Sequence, residues 1–335
     1  MNANTRIPTR TSMFGHNAGR RRYWLILIVV YLIAASSAIG LLAYGNPMPF
    51  GSEAFWLIAQ RRFNALIAIA VVAVAQAWAT LAFQTVVNNR IVTPSIMGFE
   101  ALYRTIHTAT VFAFGVTTLS HSFGMFLFQL VLMVAFTLLL YTWLIGRDMH
   151  AMLLVGIVIG GGLGSLATFM QRLLTPSEFD VLSARLFGSV ANAQSQYFPI
   201  AIPLVIFGAA YLMSKSQVLN VMALGKESAL NLGLRYRREA LVLLSVVSIL
   251  MATSTALVGP MTFLGFLVVT ITYQLAGTED HRFLLPLAGG IAFAVLCGAY
   301  FVLHHVFYAQ GVVGIIIELV GGLLFLVVLM RKGSL

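Results

Sequence analysis

The chain has 335 residues, of which 60% are hydrophobic and only 9% are charged. Soluble domains carry about 25% charged residues, and a soluble chain this apolar would expose hydrophobic patches that soluble monomers avoid. The net charge of +10 comes from basic residues between long apolar runs, without a nucleic-acid-binding motif, so it does not indicate a nucleic-acid partner. The composition therefore predicts an integral protein in contact with membrane lipid.

The N-terminal segment 1–22 is polar and basic, and it ends in Arg20, Arg21 and Arg22. The apolar run that follows, 24–44, is longer than the apolar stretch of a signal peptide and close to the ~20 residues that span a bilayer. We therefore expect a cytoplasmic basic tail at 1–22, an uncleaved first membrane helix, and one transmembrane domain over 23–335.

Ten apolar runs follow one another along the chain, at 24–44, 63–87, 94–115, 123–145, 151–170, 197–213, 240–258, 262–276, 283–303 and 312–330. Helices are expected, because a segment in lipid must satisfy its own backbone hydrogen bonds and these runs are too uniformly apolar for barrel strands. The run at 262–276 is short for a span, which predicts a tilt, a break or an extension by its neighbours. The predicted fold class is an all-α integral membrane protein with about ten transmembrane helices.

An even number of spans puts both termini on one side, and positive charge indicates which side. With the N-terminus inside, the outer segments hold four basic residues and Arg104 lies within a span; the outer four are Arg61, Arg62, Arg172 and Arg185. The other fifteen of the 20 basic residues are inside: Arg6, Arg10, Arg20, Arg21, Arg22, Arg90, Arg147, Lys215, Lys226, Arg235, Arg237, Arg238, Arg282, Arg331 and Lys332. This asymmetry predicts cytoplasmic N- and C-termini.

Two connections outside the spans have local patterns of their own. In the outer connection 172–196, Thr175 or Ser177 can cap a short surface helix that has Pro176 near its start. In the inner connection 214–239, the spacing of Leu224, Ala229 and Leu232 predicts that they lie roughly on one side of a short helix. Gly225 and Gly233 bracket that helix, and a glycine just past a helix end is a common stop signal.

The sequence contains no recognisable catalytic motif. No phosphate-binding loop occurs, since Gly225 and Lys226 are followed by Glu227 and lack the preceding glycine, so the chain is not expected to hydrolyse nucleotide itself. No zinc-protease or serine-hydrolase motif is present either. The single cysteine, Cys297, lies in an apolar run and supports neither an intrachain disulfide nor a metal cluster. We expect no catalytic, cofactor or metal site on this chain.

Polar residues within spans are costly in lipid and tend to face a protein interior or a water path. Glu100 and Arg104 lie at i and i+4 in the third run and can pair on one helix face, with Tyr103 beside them, while Glu318 lies in the last run. We consider these residues a possible translocation path: Glu100, Tyr103, Arg104 and Glu318. The alternatives are a structural ion pair for Glu100 and Arg104, and a buried packing contact for Glu318.

Several segments, in order along the chain, resemble motifs of the iron-siderophore and vitamin B12 family of ABC-transporter permeases. The inner segment LGKESALNLG at 224–233 is similar to that family's L-G-x-x-x-A-x-x-L-G coupling segment. Further similarities are QTVVNNRIVTPSIMG at 84–98, GPMTFLGF at 259–266, DHRFLLP at 280–286, and the glycines of 314–322. The likeness between PSIMGF at 94–99 and PMTFLGF at 260–266 also fits the inverted repeats common in transporters.

The resemblance implies a type II ABC importer permease with an inverted-repeat architecture and no enzymatic activity of its own. Its partners would be a second, related but non-identical permease subunit, two ATPase subunits that use ATP, and an extracytoplasmic binding protein. The coupling segment, about 220–236, would contact the ATPase through Leu224, Gly225, Lys226, Glu227, Ala229, Leu232 and Gly233. Arg61 and Arg62 would dock the binding protein.

The sequence departs from the family pattern at two places. Arg62 keeps only the first arginine of the family's R-x-P-R, with Arg61 beside it, and Arg90 stands where the family usually has proline. The version around Arg90 resembles the branch that imports catechol-type ferric siderophores. Alternatives that remain open are an ion-gradient-driven secondary transporter coupled through Glu100, Arg104 and Glu318, a membrane-embedded enzyme, and a structural subunit without a pore.

Overall fold

The computed structural model describes residues 17–44, 48–116, 123–144, 149–190, 193–305 and 313–332. Within these ranges the chain is all-α, as predicted, and no strand occurs. The helices are α1 (Asn17–Ala43), α2 (Glu53–Val87), α3 (Phe99–Phe114), α4 (Phe123–Leu144), α5 (Met149–Gln171), α6 (Pro176–Leu186), α7 (Phe198–Ser214), α8 (Ser216–Met222), α9 (Lys226–Asn231), α10 (Tyr236–Val258), α11 (Leu264–Ala276), α12 (His281–His305) and α13 (Val313–Lys332).

Ten of these helices correspond to the ten predicted runs. Seven are long and apolar enough to cross a membrane, namely α1, α2, α4, α5, α7, α10 and α12. The other three are α3, α11 and α13, of which α11 has 13 residues and is the short span that the sequence predicts. The prediction of about ten membrane helices is therefore confirmed, with α3 at 16 residues and α11 at 13 residues shorter than a straight bilayer crossing requires.

The α2 helix forms the centre of the bundle. It has 35 residues and packs against α10, α12, α11 and α7. Its buried face is rich in alanine, which lets neighbouring helices approach closely where no water is present to drive them together. The buried amide of Gln76 donates to the hydroxyl of Ser254 over 3.1 Å, so a polar pair ties α2 to α10 in the core.

The run 94–115 differs from the prediction, because it is not one continuous helix. Ser95–Met97 forms a single 3-10 turn, and α3 begins only at Phe99. Gly98 between them has φ 96°, a left-handed conformation that favours glycine. A Cβ atom on Gly98 would lie 3.3 Å from the Cα of Gly160, so two glycines bring this turn against α5. The break puts Glu100 into the first turn of α3.

The outer connection contains the predicted surface helix, α6. Thr175 is its N-cap, Pro176 occupies its first turn, and the hydroxyl of Thr175 accepts a hydrogen bond from the backbone N–H of Glu178. The carboxylate of Glu178 in turn accepts from the backbone N–H and the hydroxyl of Thr175, which completes a capping box. These two bonds lower the pKa of Glu178 below its ordinary value.

The N-terminal boundary differs from the predicted tail at 1–22. Helix α1 begins at Asn17, so Arg20, Arg21 and Arg22 belong to its first turns. The remainder of the predicted tail, 1–16, lies outside the described residues. Tyr23 donates its hydroxyl to the carbonyl of Phe283 over 2.9 Å, which places the start of α1 beside the start of α12.

Candidate functional site

The predicted coupling segment forms two short helices rather than one. Helix α8 ends at Met222, a turn carries Leu224 and Gly225, and α9 covers Lys226–Asn231. Gly225 has φ 93° and Gly233 has φ 82°, so the two glycines that the sequence placed at the ends of the helix provide its entry and exit. The pair lies at the same end of the bundle as the end of α2, since Tyr236 after α9 donates to the carbonyl of Val86 over 2.7 Å.

The side chains of this segment point in two directions, which corrects the predicted shared face. Ala229 is fully buried, whereas Leu224 is 62% exposed and Leu232 is 65% exposed. The two leucines flank α9 instead of lying on it, so the helical spacing that grouped them with Ala229 does not apply. Leu230, which the sequence analysis missed, is 50% exposed and lies with the leucines at the surface.

We call Leu224, Leu230 and Leu232 the leucine patch. Lys226, Glu227 and Gly233, also predicted to couple, are exposed around it. Large apolar side chains at the surface of a connection outside the spans are typical of an interaction site, and an apolar centre with a polar surround is the usual composition of one. Leu230 could have been found only by noticing a third leucine among the variable positions of the motif.

The leucine patch rests on a buried support. Leu219 and Met222 of α8 and Ala229 of α9 are fully buried, and α8 packs against both α2 and α12. An ion pair of 3.2 Å between Lys215 and Glu239 links the two ends of the connection. The segment is therefore attached to the bundle through its inner face and leaves its outer face exposed.

The two outer arginines have different surroundings. The guanidinium of Arg62 donates to the carbonyls of Leu41, Leu42 and Tyr44 over 3.2, 3.3 and 2.8 Å. These carbonyls lie at the C-terminal end of α1, where a cation is favoured by the helix dipole and satisfies backbone groups that have no partner in the helix. Arg61 is exposed. Of the two predicted docking residues, Arg61 is thus the one whose surroundings leave it open to a partner.

Three of the four predicted path residues lie together. The hydroxyl of Thr262, between α10 and α11, donates to the carboxylate of Glu100 and lies 3.5 Å from a carboxylate oxygen of Glu318. Glu100 and Glu318 are partly buried residues, and one carboxylate oxygen of Glu100 is fully covered by the protein. The exposed guanidinium of Arg104 interacts electrostatically with each carboxylate. No direct ion pair joins Glu100 to Arg104 in the described part of the chain, because Glu100 is turned toward Thr262.

Tyr103, one turn after Glu100 on α3, has its own set of contacts. Its hydroxyl donates to the carbonyl of Arg185 over 3.2 Å, and its ring centroid is 4.3 Å from that of His107. Together with Gln129, these side chains line a small cavity between α3, α4 and α6. Tyr103 and His107 lie at i+3 and i+7 from Glu100, so they continue the same helix face along α3 toward this cavity.

The described residues contain no group of three or more His, Cys, Asp and Glu side chains that could hold a metal ion. The polar side chains within the described spans are amides, hydroxyls, a histidine, single carboxylates and the guanidinium of Arg104, which suit the binding or passage of a polar solute. The site as a whole therefore consists of an exposed apolar segment at one end of the bundle and a polar group between α3, α11 and α13.

Known proteins with the same sequence pattern are membrane permeases. The chain is 48% identical over 329 residues to the petrobactin import system permease protein FatC of Bacillus anthracis, covering 97% of this chain and 93% of the relative. It is 36% identical to the petrobactin import system permease protein YclO of Bacillus subtilis (strain 168), covering 82% of this chain and 89% of the relative. Both relatives are transport subunits, in agreement with the prediction that the chain is not an enzyme.

A solved structure and a family model extend this comparison to the whole chain. An ABC transporter described as being of the metal-chelate type, in an inward-facing conformation, matches with a TM-score of 0.79 at 20% identity, over 92% of this chain and 99% of that chain. This likeness shows the fold and confirms the predicted importer-permease architecture. The model of the FecCD transport family matches residues 23–331. The chain therefore belongs to the FecCD transport family.

Proposed function

We propose that this chain is the membrane permease subunit of an ABC importer that carries ferric siderophores of the catechol type across the bacterial inner membrane. The family match and the two petrobactin permeases, which are its relatives at 48% and 36% identity, support the substrate class. The observation that carries the mechanism is the leucine patch: three exposed leucines on a segment outside the spans, held from behind by buried Ala229.

The leucine patch is the surface on which a separate ATPase subunit docks. The three leucines are half to two-thirds exposed, and they lose their contact with water when a partner covers them. Removal of apolar surface from water is the main favourable contribution to protein association. Because α8 packs on α2 and α12, force applied to the patch reaches helices that span the membrane. ATP hydrolysis on the partner then drives rearrangement of the spans, and this chain binds no cofactor.

The remaining partners are assigned from exposed surfaces. Helix α5 is apolar and mostly uncovered by its own chain, which fits contact with lipid or with a second, related but non-identical permease subunit. At the opposite end, exposed Arg61 is the docking residue for an extracytoplasmic binding protein, and Arg62 secures the end of α1 beside it. Both termini lie in the cytoplasm, as the distribution of basic residues requires.

The group of Glu100, Arg104 and Glu318 lines the path of the substrate. A ferric catechol complex carries negative charge on its oxygen ligands, so the exposed guanidinium of Arg104 attracts it. The two carboxylates compete with the substrate for that guanidinium, which lets a bound complex leave again. Tyr103 supports the helix through the carbonyl of Arg185 instead of contacting the substrate.

Uptake of radioiron-labelled ferric petrobactin by cells that carry or lack this chain tests the proposal. We expect uptake to depend on the chain, to stop when ATP is depleted, and to continue when a protonophore dissipates the ion gradient. A ferric hydroxamate siderophore serves as the substrate control and should not be taken up through this chain. Uptake that the protonophore stops while ATP is present would contradict the proposal and favour an ion-driven secondary transporter.

A further inference from the structure

A chain of hydrogen bonds connects the coupling segment to two spanning helices. It runs from Asn220 of α8 to the first residues of α12 and from there to Thr85 of α2. The members come from three parts of the sequence that are far apart, so the tertiary fold alone brings them together. Apart from Asn220, which is partly covered, these side chains are buried.

Asn220 holds the start of α12 with both ends of its side-chain amide. The amide N–H donates to a carboxylate oxygen of Asp280 over 2.8 Å, and that oxygen also accepts from the backbone N–H of Arg282, so Asp280 caps the helix. The amide oxygen of Asn220 accepts from the backbone N–H of His281 over 2.9 Å and from its ring Nδ1–H over 2.7 Å. Three hydrogen bonds therefore fix one residue of α8 to the first turn of α12.

The ring of His281 extends the connection to α2. Its Nε2 lies 2.7 Å from the hydroxyl oxygen of Thr85, which is near the end of α2. The single proton of the Thr85 hydroxyl has two acceptors within reach, Nε2 of His281 and, at 2.9 Å, the carbonyl of Leu81 in its own helix. Because Asn220 requires a proton on Nδ1, the neutral ring has a lone pair on Nε2 and competes with that carbonyl for the proton. The amide of Asn220 thus sets the tautomer that lets His281 bind α2, and the two contacts depend on each other.

The same end of the bundle has a second, weaker connection between these segments. Arg90, just after α2, forms an ion pair of 2.7 Å with Glu279, just before α12. Both side chains are more than half exposed, and exposed ion pairs contribute little. The buried connection is different, because a donor or acceptor left unpaired there costs its full desolvation free energy. Its hydrogen bonds are therefore expected to form or break together, which is the behaviour required of a mechanical link.

We propose that Asn220, His281 and Thr85 form a positioning relay that transmits displacement of the coupling segment to α2 and α12 together. This proposal rests on the proposed function, since it assumes that an ATPase moves α8 and α9. The relay residues contact neither substrate nor nucleotide. Their role is to make two spanning helices follow the movement of one short helix, so that hydrolysis produces transport instead of idle turnover.

Substitutions in the relay can break one link at a time. Thr85→Val removes the hydroxyl at nearly constant volume, and Thr85→Ser restores it. His281→Asn keeps an N–H near the position of Nδ1, for Asn220, and loses Thr85, whereas His281→Gln places an amide near Nε2, whose oxygen can accept from Thr85, and loses Asn220. The matched control is Thr272→Val, a fully buried threonine on α11 whose hydroxyl bonds only to its own helix, at the carbonyl of Val268 over 2.7 Å.

The readout is the ratio of ferric petrobactin imported to ATP hydrolysed, measured in proteoliposomes with the complete assembled transporter. We expect Thr85→Val and both His281 variants to lower this ratio by roughly 2- to 30-fold, with the ATPase still co-purifying. Thr85→Ser and Thr272→Val should keep the wild-type ratio. If these residues had only a structural role, their substitution would lower the yield of assembled transporter. The ratio of siderophore imported to ATP hydrolysed would then be unchanged in the complexes that do assemble.

Two results would overturn the relay. One is a wild-type ratio in Thr85→Val complexes, and the other is a loss that Thr85→Ser does not reverse, since the loss would then come from packing and not from the hydroxyl. Failure of the wild-type chain to bind any ATPase would overturn the proposed function and the relay together. A normal ATPase contact with an unchanged ratio would overturn the relay alone.

Discussion

Truncating the leucine patch should detach the ATPase without unfolding the bundle. The variant is the triple substitution Leu224→Ala, Leu230→Ala and Leu232→Ala. Each removes three carbons, worth about 0.8 kcal/mol apiece when fully buried, from a side chain that is half to two-thirds exposed before docking. Summed over the patch, the loss of binding free energy is roughly 2–4 kcal/mol, the lower figure applying if the partner covers about half of the exposed surface.

This loss of binding free energy raises the dissociation constant roughly 30- to 1000-fold. It can be measured by titrating the purified ATPase subunit onto the permease in lipid nanodiscs and recording binding by biolayer interferometry. The control is Leu25→Ala with Leu32→Ala, two equally exposed leucines on the spanning helix α1, outside the coupling segment. An unchanged dissociation constant in the triple variant, or an equal loss in the control, would refute the assignment of the patch.

Three further predictions concern the glycine before α9, the outer arginines and the surface helix. Gly225→Ala puts a side chain at φ 93°, which costs about 1–2 kcal/mol, so hydrogen exchange of α9 should accelerate roughly 5- to 30-fold. Gly161→Ala, at a helical glycine with open space around it, should not accelerate exchange anywhere; a matching acceleration would contradict the strain argument. Arg62→Gln should lower the thermal midpoint, because the end of α1 loses a charged donor worth about 1 kcal/mol. Arg61→Gln should leave the thermal midpoint unchanged and weaken capture of the binding protein. Equal thermal midpoints for the two variants would contradict the assignment of capping to Arg62 and docking to Arg61. The lowered pKa of Glu178 means that its capping bonds stabilise α6 above the ordinary carboxyl pKa and are lost as the pH falls through the lowered value. The protection of the α6 amides relative to their intrinsic exchange rate at each pH should therefore fall on acidification, and Glu178→Gln should abolish that dependence.

Features encoded locally could be predicted from the sequence. The membrane spans follow from apolar runs, because a segment surrounded by lipid needs no information from distant residues to become a helix. The capping box of α6 follows from Thr175 and Glu178 being three residues apart with Pro176 between them. The entry and exit glycines of α9 follow from the same kind of local backbone requirement.

Features that depend on packing could not be predicted. Helical spacing placed Ala229 with Leu224 and Leu232, but α9 is only six residues long and both leucines lie outside it. Glu100 and Arg104 had the spacing of an ion pair, yet Thr262, 162 positions away in sequence, takes the carboxylate of Glu100.

The same limit applies to the outer arginine and to the relay. Arg62 had the charge expected of a docking residue, but its position beside the end of α1 engages it in capping that helix. The contact of Asn220 with His281 joins residues 61 positions apart, and no periodic pattern indicates it. In each case the partner is supplied by an element that only the folded chain brings near.

Site-specific cross-linking from the leucine patch tests whether the ATPase subunit docks there. The only native cysteine, Cys297, is buried, so a cysteine introduced by Leu230→Cys would be the accessible thiol of the chain. In the complete transporter, we expect a short bifunctional reagent to join position 230 to the ATPase subunit, and we expect the reagent to reach that position only from the cytoplasm. Labelling of position 230 from the outside, or the absence of any cross-link to the ATPase in an active transporter, would show that the leucine patch is not the cytoplasmic contact of the ATPase.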